Sequence, residues 1–490
     1  LAAKNIFLSG RVIGDKITVL KEPAQKAFPA MIRSLCFLPE QVRQRISYFL
    51  EDNLPASIVG TYQALLIGSR AGLSEEIQEQ FKATGTMHLL AISGLHIGLL
   101  ALMVGTIIGW LLKRSEQLLL HTHVPTLTLF AILPILFGYS FIAGMNTPVQ
   151  RALIMTIILF SAFILRRQHS LPHLLAAAAL LVLVHNPSTL FTASFQLSFS
   201  AVTSIILFLP KILPSFTTDR AEKKARAKEQ NWLIRLWQGF LIPALLVSLA
   251  ATAGTLPFML VHFHRFSLIG PIMNLLVEPF LCFWALPWGL AALPCLVLAP
   301  DLAVILLKIG GLGIQAGQWC IAIGAALPWA SVWTITPTIF ETIFYGLLML
   351  LWVLSANMEK FRKITRSGII IGGLLLGLHF TWGLFFTKTS ALSRVSYLDV
   401  GQGTSSLLEP ADGHRILIDG GGNKNSRVNI GERIIAPYLW RQRIWRLDQA
   451  VITHPHRDHF NGMDFILARF RPKQLFINGD SRIEGNYQEI

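Results

Sequence analysis

The chain is poor in charged residues, which excludes an ordinary soluble globular protein. Asp, Glu, Lys and Arg make up 14% of its 490 residues, whereas soluble domains average about 25%. Hydrophobic residues make up 53%, and mean hydropathy is +0.53. We therefore expect an integral membrane protein that carries a smaller polar domain. The net charge of +15 is typical of cytoplasmic loops in such proteins and does not by itself indicate a polyanionic ligand.

Other features are missing as well. The sequence has no GxxxxGK[ST] loop, so it predicts no bound nucleotide, and we place the energy source in partners or in a gradient. Neither an initial Met nor a signal-like segment opens the chain at Leu1, and the chain ends at Ile490 inside a predicted domain, so we expect a fragment. The cysteines form no metal-type pair and mostly lie in apolar spans: Cys36, Cys282, Cys295 and Cys320.

Long apolar segments divide the chain into a preface (1–87), a membrane domain (88–387) and a terminal domain (388–490). A bilayer-crossing helix needs about 20 apolar residues, and we predict about ten such helices, with a possible break in the proline-rich 268–298 segment. The predicted spans are 88–112, 124–143, 149–165, 171–185, 193–212, 237–262, 268–298, 301–327, 334–356 and 367–387.

The preface has two patterns. NIFLSGRVIGDKITVL, within residues 1–30, predicts a β-strand with turns at its glycines. Residues 38–56 place apolar side chains at helical spacing between charged ones. That helix either lies in the membrane interface or packs against its own domain, and the sequence leaves both interpretations open.

The basic loops are separated by even numbers of predicted spans, so all of them fall on one side of the membrane. The positive-inside rule makes that side cytoplasmic. We therefore expect an inner-membrane protein whose N-terminal segment and C-terminal domain lie on the outer side. The loops are 113–114, 166–167, 211–235 and 360–366.

The terminal domain carries metal-ligand chemistry. One predicted strand, RILID, ends on Asp419 before three glycines, and another, AVIT, ends on the cluster HPHRDH. Such a cluster at the carboxyl end of a strand offers two imidazoles to one metal and a carboxylate plus an imidazole to a second. Two such metals, Zn or Mn, activate a shared hydroxide near neutral pH. Asp419 is expected beside them as an acceptor that orients a ligand.

This cluster resembles the metal signature of the metallo-β-lactamase superfamily, whose fold is an αββα sandwich. The resemblance assigns His454 and His456 to a first metal, and Asp458 and His459 to a second. We take Asp458 and Asp419 as the catalytic carboxylates. The superfamily uses further ligands downstream of Ile490, so we expect weak metal binding and no hydrolysis from this chain alone.

Together with the segment HLLAISGLHIG (88–98) and LDVGQG (398–403), the cluster makes the chain resemble the ComEC competence family. The resemblance implies a channel that passes one strand of incoming DNA across the inner membrane, and an outer hydrolase domain that degrades the other strand. It also implies an upstream OB-like domain whose last strand lies in residues 1–20, a DNA-binding receptor outside, and single-strand-binding or recombination proteins inside. The family usually has an acid where this chain has Thr404, which puts nuclease activity in doubt.

A DNA strand needs a polar, preferably basic path through the membrane. The predicted path residues are His88, Ser93, His96, Arg151, Gln196 and Asn274; further candidates are Asn146, His262, His264, Arg265 and Glu278. Arg151 is the strongest predicted phosphate contact, and snorkelling to the interface is its alternative. His88 and His96 either line a pore or form interhelical hydrogen bonds.

Two other functions are compatible with the sequence. The first is a membrane-tethered metallohydrolase whose spans only anchor it, although anchoring needs one span and leaves the recurrent polar residues without a role. The second is a solute transporter, although the spans show no inverted repeat.

Overall fold

The fold is given by a computed structural model that describes residues 30–145, 147–164, 170–212, 237–355, 362–385, 392–422 and 429–479. The strand predicted within residues 1–30 and the candidate Asn146 lie outside the described residues, apart from Ala30, where the first helix begins. Most of the described elements are helices, followed by strands near the C-terminus.

Three helices precede the membrane spans: α1 (Ala30–Asn53), α2 (Ala56–Ile67) and α3 (Glu75–Ala83). The apolar side chains Ile46 and Leu50 on α1 are buried in the main hydrophobic core beside those of α2. Of the two interpretations of residues 38–56, the structure thus favours a helix that packs on its own domain. Ser74 caps α3, accepting a hydrogen bond from the Ile77 amide at 3.2 Å.

Seven described helical segments are long and apolar enough to cross a membrane. They coincide with seven predicted spans: Gly94–Leu112 (α4), Val124–Ile142 (α6), Ala193–Ile212 (α9), Gly239–Phe263, Gly270–Leu298, Pro300–Ala325 and Lys363–Trp382. The other three predicted spans are apolar helices of 10–17 residues, Pro148–Phe163, Leu171–His185 and Ile339–Ser355. These three are shorter than the roughly 20 residues that a perpendicular crossing needs.

Nine further described helices complete the part of the chain before the C-terminal region. The helices not yet bounded are α5 (Glu116–His121), α7 (Thr147–Ile164), α8 (Leu171–His185), α10 (Ile242–Phe263), α11 (Gly270–Glu278), α12 (Leu286–Leu298), α13 (Pro300–Ala325), α14 (Ile339–Ser355) and α15 (Arg362–Phe385). Short 3₁₀ turns occupy Met87–Leu90 and Pro187–Phe191. A π-helical turn, Trp237–Leu241, leads into α10.

The proline-rich 268–298 segment is helical throughout rather than broken. A π-helical stretch, Pro279–Ala285, joins α11 to α12. Pro279 lacks the amide hydrogen that a regular helix uses at this position, and the wider turn absorbs that loss. Leu281, Cys282 and Ala285 of this stretch are buried in the main core, so it is a packed interior element.

Consecutive spans run in opposite directions, so their ends sort into two sets. The C-terminal ends of α9 and α14 meet where Lys211 donates to the carbonyl of Val353. At the other end lie the starts of α4, α7, α9 and α14 and the end of α10. We name this the upper end. There the short strands β1 (Arg265–Ser267) and β2 (Ser331–Trp333) pair antiparallel.

The C-terminal region contains one five-stranded sheet within its described residues, in the order β3-β4-β5-β6-β7. The strands are Arg394–Tyr397, Ser406–Glu409, Ile416–Ile418, Gln449–Ile452 and Gln474–Ile477. β3, β4 and β5 pair antiparallel, whereas β5–β6 and β6–β7 are parallel. The accompanying helices are α16 (Ala436–Arg441, after a π turn at Gly431–Ile435), α17 (Arg457–Phe460) and α18 (Met463–Phe470).

Candidate functional site

The sheet places Asp419 and the histidine cluster at one edge. β5 and β6 are parallel and pair Ile418 with Val451, so the residues that follow both strands emerge side by side. Asp419 follows β5 with a φ of +61°, a conformation in which Asp is one of the better tolerated residues. The HPHRDH cluster follows β6 and leads into α17.

Asp419 is buried and holds this edge together. Its Oδ1 accepts from the Thr453 amide at 2.8 Å, and its two oxygens accept from the Thr453 hydroxyl at 3.0 and 2.8 Å. Its Oδ2 lies 2.7 Å from His459 Nδ1 and accepts from Thr404 Oγ1 at 3.1 Å. The carboxylate therefore orients His459 and leaves the Nε2 atom of that ring for another ligand, as a carboxylate that supports a metal ligand does.

The imidazoles lie in mutual contact. The ring centroids of His454 and His459 are 3.7 Å apart, and those of His454 and His456 are 4.8 Å apart. Asp458 Oδ2 is 3.8 Å from His459 Nε2. The predicted ligands are thus neighbours in space, held by the turn from β6 into α17.

Neighbouring donors do not by themselves form a metal centre. In the described part of the chain, no group of three or more His, Cys, Asp or Glu side chains is arranged to hold a metal ion. The rings of His454 and His459 are packed against each other, rather than directed at a common point. In this conformation the site does not fit the two-metal centre that the sequence predicts.

The LDVGQG segment closes over the cluster. Thr404 Oγ1 is 3.1 Å from both Asp419 Oδ2 and His459 Nδ1. A Cβ on Gly403 would lie 1.8 Å from the carbonyl oxygen of Asp458, so only glycine permits this approach. Asp399, the acid that remains in the segment, is exposed and accepts from the amide of Gly401 at 3.2 Å.

The first predicted path residues lie at the start of α4. The Ser93 side chain accepts from the Leu95 amide, and His96 Nδ1 lies 3.3 Å from the Ser93 hydroxyl. His96 is 1% exposed, and its Nε2 has no hydrogen-bond partner among the described residues. His88 is exposed, with Nδ1 3.1 Å from the Gly85 carbonyl. His96 is thus the more unusual of the two, because buried polar atoms are normally paired.

Arg151 and Gln196 both lie near the upper end of α9, with separate partners. Arg151 is 4% exposed; it donates to the carbonyl of Ser194 and lies 5.9 Å over the ring of Phe199. Gln196 Oε1 is 2.7 Å from His262 Nε2 on α10. Arg151 therefore joins α7 to α9 in this conformation, and a phosphate would reach it only after those helices separate.

Asn274 continues this set on α11. Its amide nitrogen donates to Ser248 Oγ on α10 at 2.9 Å, and its Oδ1 is buried without a hydrogen-bond partner in the described part of the chain. Glu278 follows one turn later and is half-buried. Arg151, Gln196 and His262 are thus polar positions near the upper end, whereas Asn274 lies deeper, because Ser248 is closer to the start of α10 than to its end. The helices that carry them pack in sequence: α4, α7, α9, α10 and α11.

The upper end also holds the C-terminal region. His264 stacks on Trp440 with centroids 5.3 Å apart, and Trp333 stacks on the same indole at 5.1 Å. Nearby, Glu341 on α14 pairs with Arg443. Sequence reasoning missed this junction. A lone acid in the first turn of an apolar helix, at Glu341, was the available signal.

Comparison with known families agrees with this two-part arrangement. The family model described as "Competence protein" matches residues 65–359, and that of the "Metallo-beta-lactamase superfamily" matches residues 398–482. The chain belongs to the competence protein family. Membership of its C-terminal region in the metallo-β-lactamase superfamily implies divalent-metal binding in general, although no described cluster is arranged for it.

Relatives of this competence family member cover most of the chain. It is 27% identical to "ComE operon protein 3" of Bacillus subtilis over 89% of this chain and 53% of the relative. It is 27% identical to "Recombination protein 2" of Haemophilus influenzae over 88% and 55%, and 25% identical to "Competence protein ComA" of Neisseria gonorrhoeae over 83% and 52%. The chain thus spans about half the length of these relatives. No solved structure matches it significantly.

Proposed function

We propose that this protein functions in DNA uptake during competence and passes single-stranded DNA across the inner membrane. The observation that carries the proposal is the set of polar residues on packed apolar helices, which extends from the upper end beside the C-terminal region to Asn274 deeper along the helices. Groups such as His96 Nε2 and Asn274 Oδ1 are buried without partners among the described residues. Unpaired polar atoms are costly at membrane depth and mark paths for polar cargo.

The direction of passage follows from the charge distribution. Basic loops at 113–114, 166–167 and 211–235 follow the ends of the helices opposite the upper end, and the positive-inside rule makes that side cytoplasmic. The upper end and the C-terminal region then face the outside, where a DNA-binding receptor delivers the strand. Single-strand-binding or recombination proteins receive it in the cytoplasm.

In a full-length protein, the hydrolase domain is proposed to degrade the strand that is not transported, using Zn or Mn, whereas the residues of this chain alone are expected to bind metal weakly and not to hydrolyse DNA. The cluster of His454, His456, Asp458 and His459 supports this part of the proposal. Metal analysis of the purified chain after dialysis against each ion tests it, with His454→Ala plus Asp458→Ala as the control. Equal metal content in both proteins excludes the cluster as the binding site.

Transformation of a competent host that lacks its own copy tests the transport proposal. Full-length genes would carry Gln196→Leu plus His262→Leu, which replaces one polar pair by apolar side chains of similar size. The control pair, Thr106→Val plus Thr381→Val, removes two exposed hydroxyls from α4 and α15. We expect the first pair to reduce uptake by at least about tenfold, since the passing phosphates would lose hydrogen-bond partners worth about 1.5–3 kcal/mol to a charged group, and the control pair to retain it.

The same assay separates transport from anchoring. If Gln196→Leu plus His262→Leu transforms like the unmodified gene at equal protein level, the helices do not carry the strand. The membrane-tethered metallohydrolase then becomes the better description. Loss of uptake only in His454→Ala plus Asp458→Ala would favour that description as well.

A further inference from the structure

Two arginines from different parts of the fold share one indole. The guanidinium carbon of Arg265 lies 4.8 Å from the ring centroid of Trp333, and that of Arg469 lies 5.9 Å from it. Arg265 and Trp333 belong to the β1–β2 ribbon at the upper end, whereas Arg469 belongs to α18. Two positive charges are therefore brought together at the junction between the helices and the C-terminal region.

Only one of these charges is balanced. Arg265 forms an ion pair with Glu79 and donates to Ser331 Oγ at 2.8 Å. By contrast, Arg469 Nε is buried and has no hydrogen-bond partner among the described residues. Neither Arg469 nor Arg471 takes part in an ion pair within the described part of the chain. Clustered like charges with an unpaired buried donor are unfavourable unless an anion lies between them.

The pKa of Arg469 reflects this imbalance. It is lowered to about 10, chiefly by burial and further by the neighbouring guanidinium groups of Arg471 and Arg265. Arg471 is exposed at the end of α18, so the unbalanced charge is open to solvent on one side. An anion reaching Arg471 would therefore be close to Arg469 as well.

Aromatic rings flank the same charges. Arg469 also lies over Trp445 at 4.7 Å, and Trp445 is half-buried. The ring of Trp333 is already stacked on Trp440 and covered by Arg265, so Trp445 is the ring that can stack on a base. Basic groups interleaved with aromatic faces are typical of sites that bind single strands without sequence preference, because the cations contact phosphates and the rings stack on bases. A lipid headgroup would use the cations and leave the rings without a role.

We propose that Arg469 and Arg471, with the indole of Trp445, bind a phosphodiester segment of single-stranded DNA at this junction. This site rests on the proposed transport function and adds to it a contact where the strand passes between the C-terminal region and the helices. It is separate from the histidine cluster, which follows β6. Glu79 pairs with Arg265 and not with Arg469. A bound phosphate would balance the positive charge of Arg469.

Equilibrium binding tests the site without requiring transport. The full chain in phosphatidylcholine nanodiscs would be titrated into a labelled oligonucleotide of about 20 nucleotides, longer than the roughly 4–16 nucleotides that one single-strand-binding fold covers. Fluorescence anisotropy at several salt concentrations gives both affinity and salt dependence. We expect Arg469→Gln plus Arg471→Gln to weaken binding about tenfold and to reduce the salt slope by about 1.4, which is two contacts of about 0.7 each.

Two further variants keep the result interpretable. Arg394→Gln is the matched control, an Arg-to-Gln substitution on β3, at the edge of the sheet opposite β7. Its affinity for the oligonucleotide is expected to stay within about twofold of that of the unmodified chain, since it removes no proposed phosphate contact. Arg471→Gln alone changes an exposed side chain, so it tests the site even if the Arg469 substitution disturbs folding. It is expected to reduce the salt slope by about 0.7.

Unchanged binding in both Arg471 variants overturns the inference and leaves the proposed transport function standing. Failure of the unmodified chain to bind DNA counts against both. Nanodiscs containing phosphatidylglycerol distinguish the two sources of a phosphodiester. If that lipid abolishes the difference between variant and unmodified chain, the site binds a lipid headgroup and the assignment to DNA is wrong.

Discussion

Glu341 and Arg443 form a bidentate ion pair that joins the helices to the C-terminal region. Arg443 donates to Oε2 of Glu341 at 2.8 Å and to Oε1 at 3.2 Å, while His379 Nδ1 lies 2.9 Å from Oε1. Glu341 is 3% exposed. The pair spans 102 positions of sequence, so it exists only when both parts are folded and docked.

Replacing Arg443 by Ala is expected to destabilise this junction. The substitution leaves the buried carboxylate of Glu341 with His379 and the backbone amide of Thr338 as partners, and breaking a buried ion pair in this way costs about 3–5 kcal/mol. Thermal unfolding of the chain in detergent would show a lower Tm, and limited proteolysis would release the C-terminal region sooner.

The double variant Glu341→Gln plus Arg443→Gln serves as the control, because removing both charges leaves none unpaired. It should be clearly more stable than Arg443→Ala. If both variants unfold at the same temperature, the pair is not a coupled contact and the junction depends on its aromatic stack alone.

His264 makes the junction sensitive to acid. Burial, then the charges of Arg441 and His262, lower its pKa from 6.5 to about 4. Between pH 6.5 and 4, His264 therefore binds a proton in the unfolded chain but stays neutral in the folded chain. Its contribution to the free energy of unfolding is complete above pH 6.5 and is lost as the pH falls through this window. At pH 5 the loss amounts to about 2 kcal/mol.

The variant His264→Phe tests this effect, because it keeps a ring on Trp440 and cannot bind a proton. Its Tm should change less than that of the unmodified chain between pH 7.5 and 5. Other histidines titrate in both proteins, so only the difference between the two curves reports on His264. Parallel curves would contradict the prediction.

The helical part was predictable because hydrophobicity alone specifies it. Spans such as Val124–Ile142 and Ala193–Ile212 were placed within a residue of their bounds, since few polar residues interrupt them. Helix length was less predictable, because 334–356 includes residues that form the approach to α14 rather than the helix itself. Backbone wider than an α-helix, as at Pro279–Ala285, leaves no periodic signal.

The terminal motifs were predictable for a different reason. Asp419 and HPHRDH each follow a short apolar strand, and parallel pairing brings the ends of such strands together. The junction was not predictable, because Glu341 and Arg443 or Trp333 and Trp440 are far apart in sequence and individually ordinary. Only the fold shows that Arg469 forms no ion pair with the acids in the described part of the chain.

Gly403 is expected to be irreplaceable for steric reasons. Gly401 and Gly403 both have positive φ angles, +79° and +89°. A Cβ would meet open space at Gly401 but the Asp458 carbonyl oxygen at Gly403. Gly401→Ala thus measures backbone strain, about 1–3 kcal/mol, and Gly403→Ala measures strain plus displacement of the cluster.

Hydrogen exchange of the amides in residues 453–462 is the measurement. Gly403→Ala should increase exchange throughout this segment, whereas Gly401→Ala should change it little. The same exchange pattern in both variants would mean that LDVGQG does not support the cluster.

Thr404 occupies the position where an acid is usual in the family, and Thr404→Asp tests what that exchange does. An aspartate there would lie close to Asp419, because Thr404 Oγ1 is 3.1 Å from Asp419 Oδ2, and the repulsion between two such carboxylates reaches about 4 kcal/mol at partial burial. We therefore expect a lower Tm than that of Thr404→Val, which loses only a hydrogen bond worth about 1 kcal/mol.

Added Zn²⁺ or Mn²⁺ should raise the Tm of Thr404→Asp more than that of the unmodified chain, since a cation offsets the repulsion. A metal concentration of 100 times Kd stabilises the folded chain by about 2.7 kcal/mol. Equal metal-induced shifts in both proteins would instead show that the acid adds nothing to metal binding and that Thr404 is an adequate substitute.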